Sequence, residues 1–146
     1  ARLIWCHSQQ SRDRLAELSS EGNRDKIRKA PAAVIIGMDQ NFHEHLPELF
    51  PHADAKSWFE GDAEARKVHA MRNSSLQGAY FILAARALGL DTGPMSGFDN
   101  DAVDKEFFGD QPNVKSNFIS TLGYGDPATI FDRSPRPEFN KFNSLI

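Results

Sequence analysis

Residues 90–99 read LDTGPMSGFD and separate a long apolar segment from a short acidic one. Gly93 and Gly97 flank Pro94, so the sequence predicts a loop that is stiff at its centre and free of side chains at both ends. Such a loop before a helix presents bare N–H groups together with the positive end of the helix dipole. It suits a flat, electron-accepting ligand that becomes negatively charged, although loops with two glycines are also common without a ligand.

The composition predicts one soluble globular domain over residues 1–146, with 40% hydrophobic and 25% charged residues. The formal net charge of −3 argues against nucleic acid or an anionic membrane as the main partner. No signal peptide or membrane span is visible, so a cytoplasmic location is the default expectation. The chain starts without Met inside an expected strand, which predicts either a fragment or a chain whose leading segment lies outside the given sequence.

Strands and helices alternate along the chain, which predicts an α/β or α+β fold. The predicted strands cover residues 3–6, 32–38 and 117–125. The predicted helices cover residues 11–22, with Ser11 as N-cap, and residues 23–29, 62–90 and 101–108. Residues 41–60, interrupted by two prolines, are predicted to form a partly helical excursion over a site or a subunit contact.

The predicted helix over residues 62–90 becomes apolar nearly all round towards its end, where Phe81 and Ile82 join the stripe that contains Leu83. A helix buried on every side needs neighbours on every side, and a second subunit is the expected source in a small domain. Gly89 is placed to close this helix in the left-handed conformation.

Conventional side-chain catalysis and metal binding receive little support from the sequence. His43, His45 and His52 suggest a metal site, but their spacing does not place two ligands on one helix face, and no cysteine pair completes a tetrahedral set. A metal-assisted hydrolase is therefore the least favoured hypothesis. Cys6, the only cysteine, is predicted to be a small buried hydrophobe. His69 is interpreted as a packed or solvated residue rather than a base.

A set of donors and cations is more suggestive of a binding site. Asn23 and Lys26 can donate hydrogen bonds to the carbonyl oxygens of a ring system, and Arg133 with Arg136 can hold a phosphate in a forked arrangement. Taken singly, each is more often a surface residue, and the sequence alone does not bring them together. The basic run around Lys26 is interpreted either as a solvated helix face or as an anion site.

Four stretches, in this order, resemble the FMN-dependent nitroreductase family over nearly the whole chain, from Arg2 to about Pro137. They are NRDK at 23–26, RNSSLQ at 72–77, GPMSGFD at 93–99 and GYGD at 123–126. The closest resemblance is to the malonic-semialdehyde reductase subgroup, associated with uracil catabolism. The stretches LFPHADA at 49–55 and SWF at 57–59 support that subgroup.

The resemblance implies an α+β sandwich built as an intertwined homodimer, with FMN at the subunit interface. By matching position, Asn23 and Lys26 would contact the edge of the flavin ring. The flavin would carry the chemistry, without a catalytic side chain. The backbone that would face the ring near its hydride-accepting nitrogen belongs to Pro94, Met95, Ser96 and Gly97.

The same resemblance implies that Arg133 and Arg136 occupy the region that binds the FMN phosphate, with Arg136 the better match.

Two departures from the family pattern matter. Ser96 stands where many relatives have Glu, which weakens the transfer of substrate preference. The opening segment of the family, which supplies an Arg and a Ser to the phosphate, is absent from the chain, so we expect FMN affinity to be lowered.

Two hypotheses follow. In the first, NADH or NADPH reduces bound FMN, and a small aldehyde, quinone or nitro compound then takes the hydride in an alternating reaction. In the second, the chain is a cofactor-free dimeric nitroreductase-like protein without catalysis. Under the first hypothesis, Gly97→Val is expected to block the flavin seat more than it harms folding.

Overall fold

The computed structural model describes residues 1–146 and has a four-stranded antiparallel sheet at its centre. The strands are β1 (Arg2–Cys6), β2 (Ala32–Asp39), β3 (Asp91–Met95) and β4 (Val114–Gly123). They lie side by side in the order β1-β2-β4-β3. Because β2 is central and covered on both faces, six consecutive residues of this strand, 33–38, are buried.

Helices cover both faces of the sheet. They are α1 (Gln9–Glu17), α2 (Glu21–Lys29), α3 (Leu46–Leu49), α4 (Ala63–Ala87), α5 (Asn100–Phe107) and α6 (Phe139–Phe142). On one face, α1, α2 and α5 form the main core with the sheet, and α4 lies on the other face. The largest side chains of that core are Leu15, Ile27, Ile35, Phe108 and Ile119. The expected α+β sandwich is confirmed, and none of its helices has the length and apolar character needed to cross a membrane.

The ends of the two helices that flank β3 follow the sequence signals. Asp62 caps α4 and Asp99 caps α5, and each carboxylate accepts a hydrogen bond from the backbone N–H three residues further along. Gly89 follows the last residues of α4 with a φ of +80°, as predicted for a left-handed C′ position. These caps fix where α4 ends and α5 begins, and therefore where residues 90–99 lie.

The structure corrects the bounds of several predicted elements: the first helix ends at Glu17 and not at residue 22, and the second begins at Glu21 and not at residue 23. The first helix begins at Gln9 because Ser8, not Ser11, is its N-cap and accepts a hydrogen bond from the N–H of Ser11 at 3.1 Å. The stretch predicted as a loop over residues 90–99 is, in its first half, the edge strand β3, paired with β4. Pro94 is compatible with this because an edge strand leaves one row of N–H groups unpaired.

A β-bulge lies in the middle of the sheet. Ile36 and Gly37, adjacent in β2, are paired with Phe118 and Ser116 of β4, so Asn117 is the extra residue. β4 covers residues 114–123 and not the predicted 117–125, because the polar residues 115–117 hide its start and the pairing with β3 ends at Gly123.

The bulge connects helices on both faces of the sheet. On one face, the side-chain amide of Asn117 donates to the hydroxyls of Ser74 and Ser75 in α4, at 2.8 Å and 3.0 Å. On the other, the N–H of Ser116 donates to Oδ1 of Asp104 in α5, at 2.6 Å. A backbone donor released from the strand ladder is therefore satisfied by a buried carboxylate.

The outer face of α4 is not covered within this chain. Only its small residues are buried, whereas large apolar side chains are exposed, among them Val68, Met71, Leu76, Tyr80, Leu83 and Leu88. A single copy of the chain therefore does not bury α4 on every side, and its cover by a second subunit stays a prediction. Residues 124–146 are exposed throughout and add further large apolar side chains, including Ile130, Phe131, Phe139 and Phe142.

Gly37 allows the closest packing beside the bulge, and we expect Gly37→Ala to destabilise the fold. A Cβ at this position would lie 2.8 Å from Cζ of Phe108, 2.9 Å from Cγ1 of Val114 and 3.2 Å from the carbonyl oxygen of Arg2. Overpacking of a core typically costs about 1–3 kcal/mol. The measurement is the free energy of unfolding in urea.

Gly22→Ala is the matched control for this substitution. Gly22 lies in α2, and a Cβ there would meet no atom within 4 Å. The alanine should raise stability by up to about 1 kcal/mol through helix propensity and chain entropy. If Gly37→Ala and Gly22→Ala changed the free energy of unfolding equally, close packing at Gly37 would not contribute to stability.

Candidate functional site

The loop after β3 is attached to the N-terminus of α2 through one carbonyl group. The carbonyl oxygen of Gly97 accepts two hydrogen bonds, from the N–H of Ser20 at 2.9 Å and from Nδ2 of Asn23 at 3.0 Å. Ser20 is the N-cap of α2 and Asn23 lies in its first turn. The positive end of the helix dipole therefore faces a carbonyl oxygen of the loop, which is a favourable arrangement.

The same two segments pair further along. Ser19 and Phe98 form an isolated antiparallel bridge, and the N–H of Asp99 donates to the carbonyl of Leu18 at 2.9 Å. Ser19 is buried, and its hydroxyl donates to the carbonyl of Leu15 at 2.8 Å. The loop is thus fixed by contacts within the protein before any ligand is considered.

Two neighbouring donors of the loop have no acceptor within the protein: the N–H groups of Ser96 and Gly97. Ser96 is exposed and Gly97 half-buried, and the carbonyl of Ser96 accepts from Phe98 at 3.1 Å in a tight turn. Adjacent bare donors on a fixed backbone fit a ligand edge that carries or gains negative charge. This is the property expected of a flavin seat.

Gly97 is needed for the contact between the loop and α2. A Cβ at this position would lie 2.7 Å from Nδ2 of Asn23 and 3.1 Å from Oγ of Ser20. A larger residue therefore collides with α2 first. The expectation that Gly97→Val acts mainly on a ligand stays a prediction, and the side chains of Asn23 and Ser20 would also have to shift to admit the new residue.

Asn23 and Lys26 lie three residues apart in α2, and therefore on one face of the helix. Asn23 is half-buried and its amide donates to the carbonyl of Gly97, so the structure brings it to the loop, as the family resemblance implied. Lys26 is exposed and takes part in no salt bridge within the chain. Its ammonium group is free to meet a ligand, and the contacts of both residues with a flavin ring remain predictions.

Pro94 and Met95 occupy the end of β3. Pro94 is exposed on the edge strand, whereas Met95 is half-buried and packs against the main core. The backbone at these positions is therefore held by the sheet on one side and by the α2 contact on the other.

Arg133 and Arg136 are not brought to the loop by any hydrogen bond or ion pair. Both lie in the exposed segment after β4, and a guanidinium nitrogen of Arg136 donates to the carbonyls of Ser134 and Pro135, its own neighbours. Their assignment to a phosphate stays a prediction.

The histidines of the excursion have separate surroundings. His43 is buried, His45 contacts Arg2 and lies 3.5 Å from a carboxylate oxygen of Asp39, and His52 packs edge-on against Phe50. The chain contains no group of three or more His, Cys, Asp and Glu side chains placed to hold a metal.

Cys6 and His69 are placed as the sequence suggested. Cys6 is fully buried, and burial raises the pKa of its thiol to about 11, so it is an unreactive core residue. His69 is half-buried and packs against the ring of Phe59, with 5.1 Å between ring centroids.

Sequence reasoning missed the part played by Ser20 and Leu18. Both act through backbone groups, whose hydrogen bonds carry no residue-type signal. The only trace in the sequence is that Ser20 precedes Glu21 and Gly22 at a plausible helix start.

The nitroreductase family profile matches residues 1–124 of the chain. A protein from Xanthomonas oryzae pv. oryzae (strain PXO99A), provisionally named an NADH dehydrogenase/NAD(P)H nitroreductase, is 58% identical over 141 residues, which cover 97% of this chain and 71% of that protein. A protein of the same provisional name from Caulobacter sp. (strain K31) is 56% identical over 147 residues, covering 100% of this chain and 74% of the relative.

Solved structures have the same fold. A provisionally assigned nitroreductase from Bacillus subtilis matches with a TM-score of 0.89 at 21% identity, covering 99% of this chain and 77% of that one. A second provisionally assigned nitroreductase, from Exiguobacterium sibiricum 255-15, was solved in complex with FMN. It matches with a TM-score of 0.85 at 20% identity, covering 99% of this chain and 76% of that chain. Given the profile match over most of its length and relatives of this similarity, the chain belongs to the nitroreductase family.

Proposed function

We propose that the protein is an FMN-dependent oxidoreductase that uses NADH or NADPH to reduce a small aldehyde related to malonic semialdehyde, or a nitro or quinone compound. For an aldehyde, the nicotinamide gives up a hydride and becomes oxidised, and the carbonyl gains that hydride and one solvent proton to become an alcohol. The observation that carries the proposal is the pair of unpartnered N–H groups at Ser96 and Gly97.

When bound, FMN would supply the hydride-transfer chemistry that no side chain of the protein provides. Ser96 and Gly97 provide two hydrogen-bond donors for the ring edge where negative charge develops on reduction. Because Ser20 and Asn23 hold the carbonyl of Gly97, these donors are already fixed, and they need little reorganisation when charge appears. Lys26, exposed and without a salt bridge, is suited to stabilise the same charge from α2.

Arg136, with Arg133, is proposed to hold the phosphate of FMN. Both are exposed and free of ion pairs, which leaves their guanidinium groups available for a forked contact with phosphate oxygens. The contact requires the segment after β4 to lie along the bound cofactor.

The aldehyde assignment rests on residues 49–55 and 57–59, which resemble the malonic-semialdehyde reductase subgroup. In the structure this excursion exposes Leu49, Phe50 and Trp58, and the rings of Phe50 and Trp58 lie 6.1 Å apart. An exposed apolar patch of this kind is typical of a surface that covers a ligand or a partner. A panel of malonic semialdehyde, a nitroarene and a quinone, compared by kcat/KM, tests the assignment.

A second copy of the chain is proposed to cover the outer face of α4. The exposed residues include Tyr80 and Leu83 on α4 and Phe131 and Phe142 in the segment after β4. Contiguous exposure of large apolar side chains marks an association surface, and a homodimer buries the same face on both subunits.

Substitutions at Ser96 test the role of its N–H group. Ser96→Pro removes this N–H, which has no protein acceptor, and Met95 before it is already in extended backbone, as proline requires. We expect flavin reduction by NADH or NADPH, followed as anaerobic bleaching of the FMN spectrum, to become slower by about tenfold or more. Ser96→Ala keeps the N–H and should bleach at the wild-type rate.

The same titrations test the proposed function itself. A wild-type protein that stays colourless after FMN titration would favour the cofactor-free alternative. Binding of FMN with equal bleaching rates in Ser96→Pro and Ser96→Ala would place the ring elsewhere. The melting temperature of both variants without FMN shows whether a lower bleaching rate results from impaired folding.

Arg136→Ala is expected to weaken FMN binding by about tenfold or more, because a charge-assisted contact with the phosphate is lost. Binding of riboflavin, which lacks the phosphate, should change little. The dissociation constants of both flavins are measured by fluorescence quenching, with Lys141→Ala, an exposed cation of the same segment, as control. Equal losses for both flavins would mean that Arg136 does not contact the phosphate.

Tyr80→Glu combined with Leu83→Glu is expected to dissociate the proposed homodimer, because two charges would be buried in an apolar contact. Sedimentation equilibrium measures the change in mass. Lys67→Glu, at an exposed position of α4 that lies on the same side of the helix as Ser74 and Gly78 and not on the outer face, is the control and should leave the assembly intact. A wild-type protein that sediments as a monomer at every concentration would refute the assignment.

A further inference from the structure

Asp91, the first residue of β3, contacts two different elements with its two carboxylate oxygens. Oδ2 accepts a hydrogen bond from the N–H of Gly125 at 2.7 Å, beyond the end of β4. Oδ1 pairs with the guanidinium group of Arg86 in the last turn of α4, and Arg86 also donates to the carbonyl of Leu90 at 3.2 Å. We call Arg86, Asp91 and Gly125 the Asp91 clamp.

The clamp continues the sheet beyond its last pair. Pairing between β3 and β4 ends where Asp91 lies opposite Gly123, and Gly125 is two residues further on. The carboxylate therefore takes the place of the next backbone partner. A Cβ on Gly125 would lie 3.0 Å from Oδ2 of Asp91 and 3.4 Å from Cδ1 of Ile130, so the chain passes close to the carboxylate at this point.

The hydrogen bond between Gly125 and Asp91 is the one polar contact that joins residues 124–146 to the rest of the chain. The hydrogen bonds formed by residues 124–146 lie within the segment, apart from the bond between Gly125 and Asp91. No salt bridge joins the segment to the body of the chain, and its residues are exposed. The direction in which residues 124–146 leave the sheet is thus set beside Asp91.

We propose that Asp91 is a positioning residue that directs the segment after β4, and with it Arg136, towards the phosphate of the bound cofactor. Asp91 itself touches neither cofactor nor substrate in this role. The part that concerns phosphate rests on the proposed function, whereas the attachment of Gly125 does not.

The ionised form of Asp91 suits this role. The hydrogen bond from Gly125 and the neighbouring charge of Arg86 lower the pKa of the Asp91 carboxyl from its ordinary value. A carboxylate can also serve both partners at once, one with each oxygen. A neutral amide at this position has a single acceptor oxygen, so Asp91→Asn should keep one of the two contacts and lose the other.

The attachment is tested by hydrogen exchange at Gly125, followed by NMR without FMN. In Asp91→Ala, the N–H of Gly125 is expected to exchange about tenfold faster or more, because its acceptor is removed. Asp62→Ala is the matched control: it also removes one bond between a carboxylate and a backbone N–H, at the distant end of α4. Unchanged exchange at Gly125 in Asp91→Ala would overturn the clamp.

The positioning role is tested by comparing FMN with riboflavin in the same variants. Asp91→Ala should weaken FMN binding by about tenfold while riboflavin binding stays within about twofold, since only the phosphate contact is lost. Asp62→Ala, and any general loss of stability, should affect both flavins alike. Equal weakening of both flavins in Asp91→Ala would overturn the positioning role.

A double-mutant cycle shows whether Asp91 acts through Arg136. On the background of Arg136→Ala, the additional Asp91→Ala substitution should leave the ratio of FMN to riboflavin affinity unchanged. A further loss of about tenfold in the double variant would mean that Asp91 acts on the phosphate by another route and would overturn the proposal. If the wild-type protein does not prefer FMN over riboflavin, the proposed phosphate site is refuted. The hydrogen exchange of the Gly125 N–H would still test the Asp91 clamp independently.

Discussion

The carbonyl group of Gly97 is the contact on which the candidate site depends. It accepts hydrogen bonds from the backbone of Ser20 and the side chain of Asn23, at the positive end of α2. With the carbonyl held on the protein side, the N–H groups of Ser96 and Gly97 remain without protein acceptors. The loop is therefore shaped by the chain itself, and its two donors are in place before a ligand arrives. Fixed donors of this kind favour the charged state of a ligand without a cost of rearrangement.

The elements with strong local signals could be predicted from the sequence. The central strand β2 is a continuous apolar run, and α4 and α5 have an aspartate at the N-cap, with a glycine closing α4. Elements that form only through long-range strand pairing could not be predicted from the sequence. β3 contains Gly93 and Pro94 and has no alternating pattern, and it becomes a strand only because β4 supplies its partner. The start of β4 is obscured by a bulge at Asn117, whose polar side chain is satisfied by α4.

Sequence reasoning named residues of the loop and of α2 that do lie together, but it did not predict their contacts, and their role in binding stays a prediction. Ser96, Gly97 and Asn23 do lie together, but the amide of Asn23 supports the loop, a role that residue type alone does not reveal. The need for glycine at position 97 likewise comes from α2, because a Cβ would meet Asn23 and Ser20. Arg133 and Arg136 lie in a segment with no packing of its own, so neither periodicity nor propensity predicts where it goes.

The two halves of the proposed site therefore differ in how they are held. The half that would meet the ring, around Gly97, is fixed by several hydrogen bonds between the loop and α2. The half that would meet the phosphate is joined to the sheet by one hydrogen bond, at Gly125. Ordering such a segment costs conformational entropy for each residue fixed, and in the proposed homodimer the burial of its exposed apolar side chains would offset part of that cost. If cofactor and partner both hold this segment, thermodynamic linkage requires that each strengthens the binding of the other by the same factor.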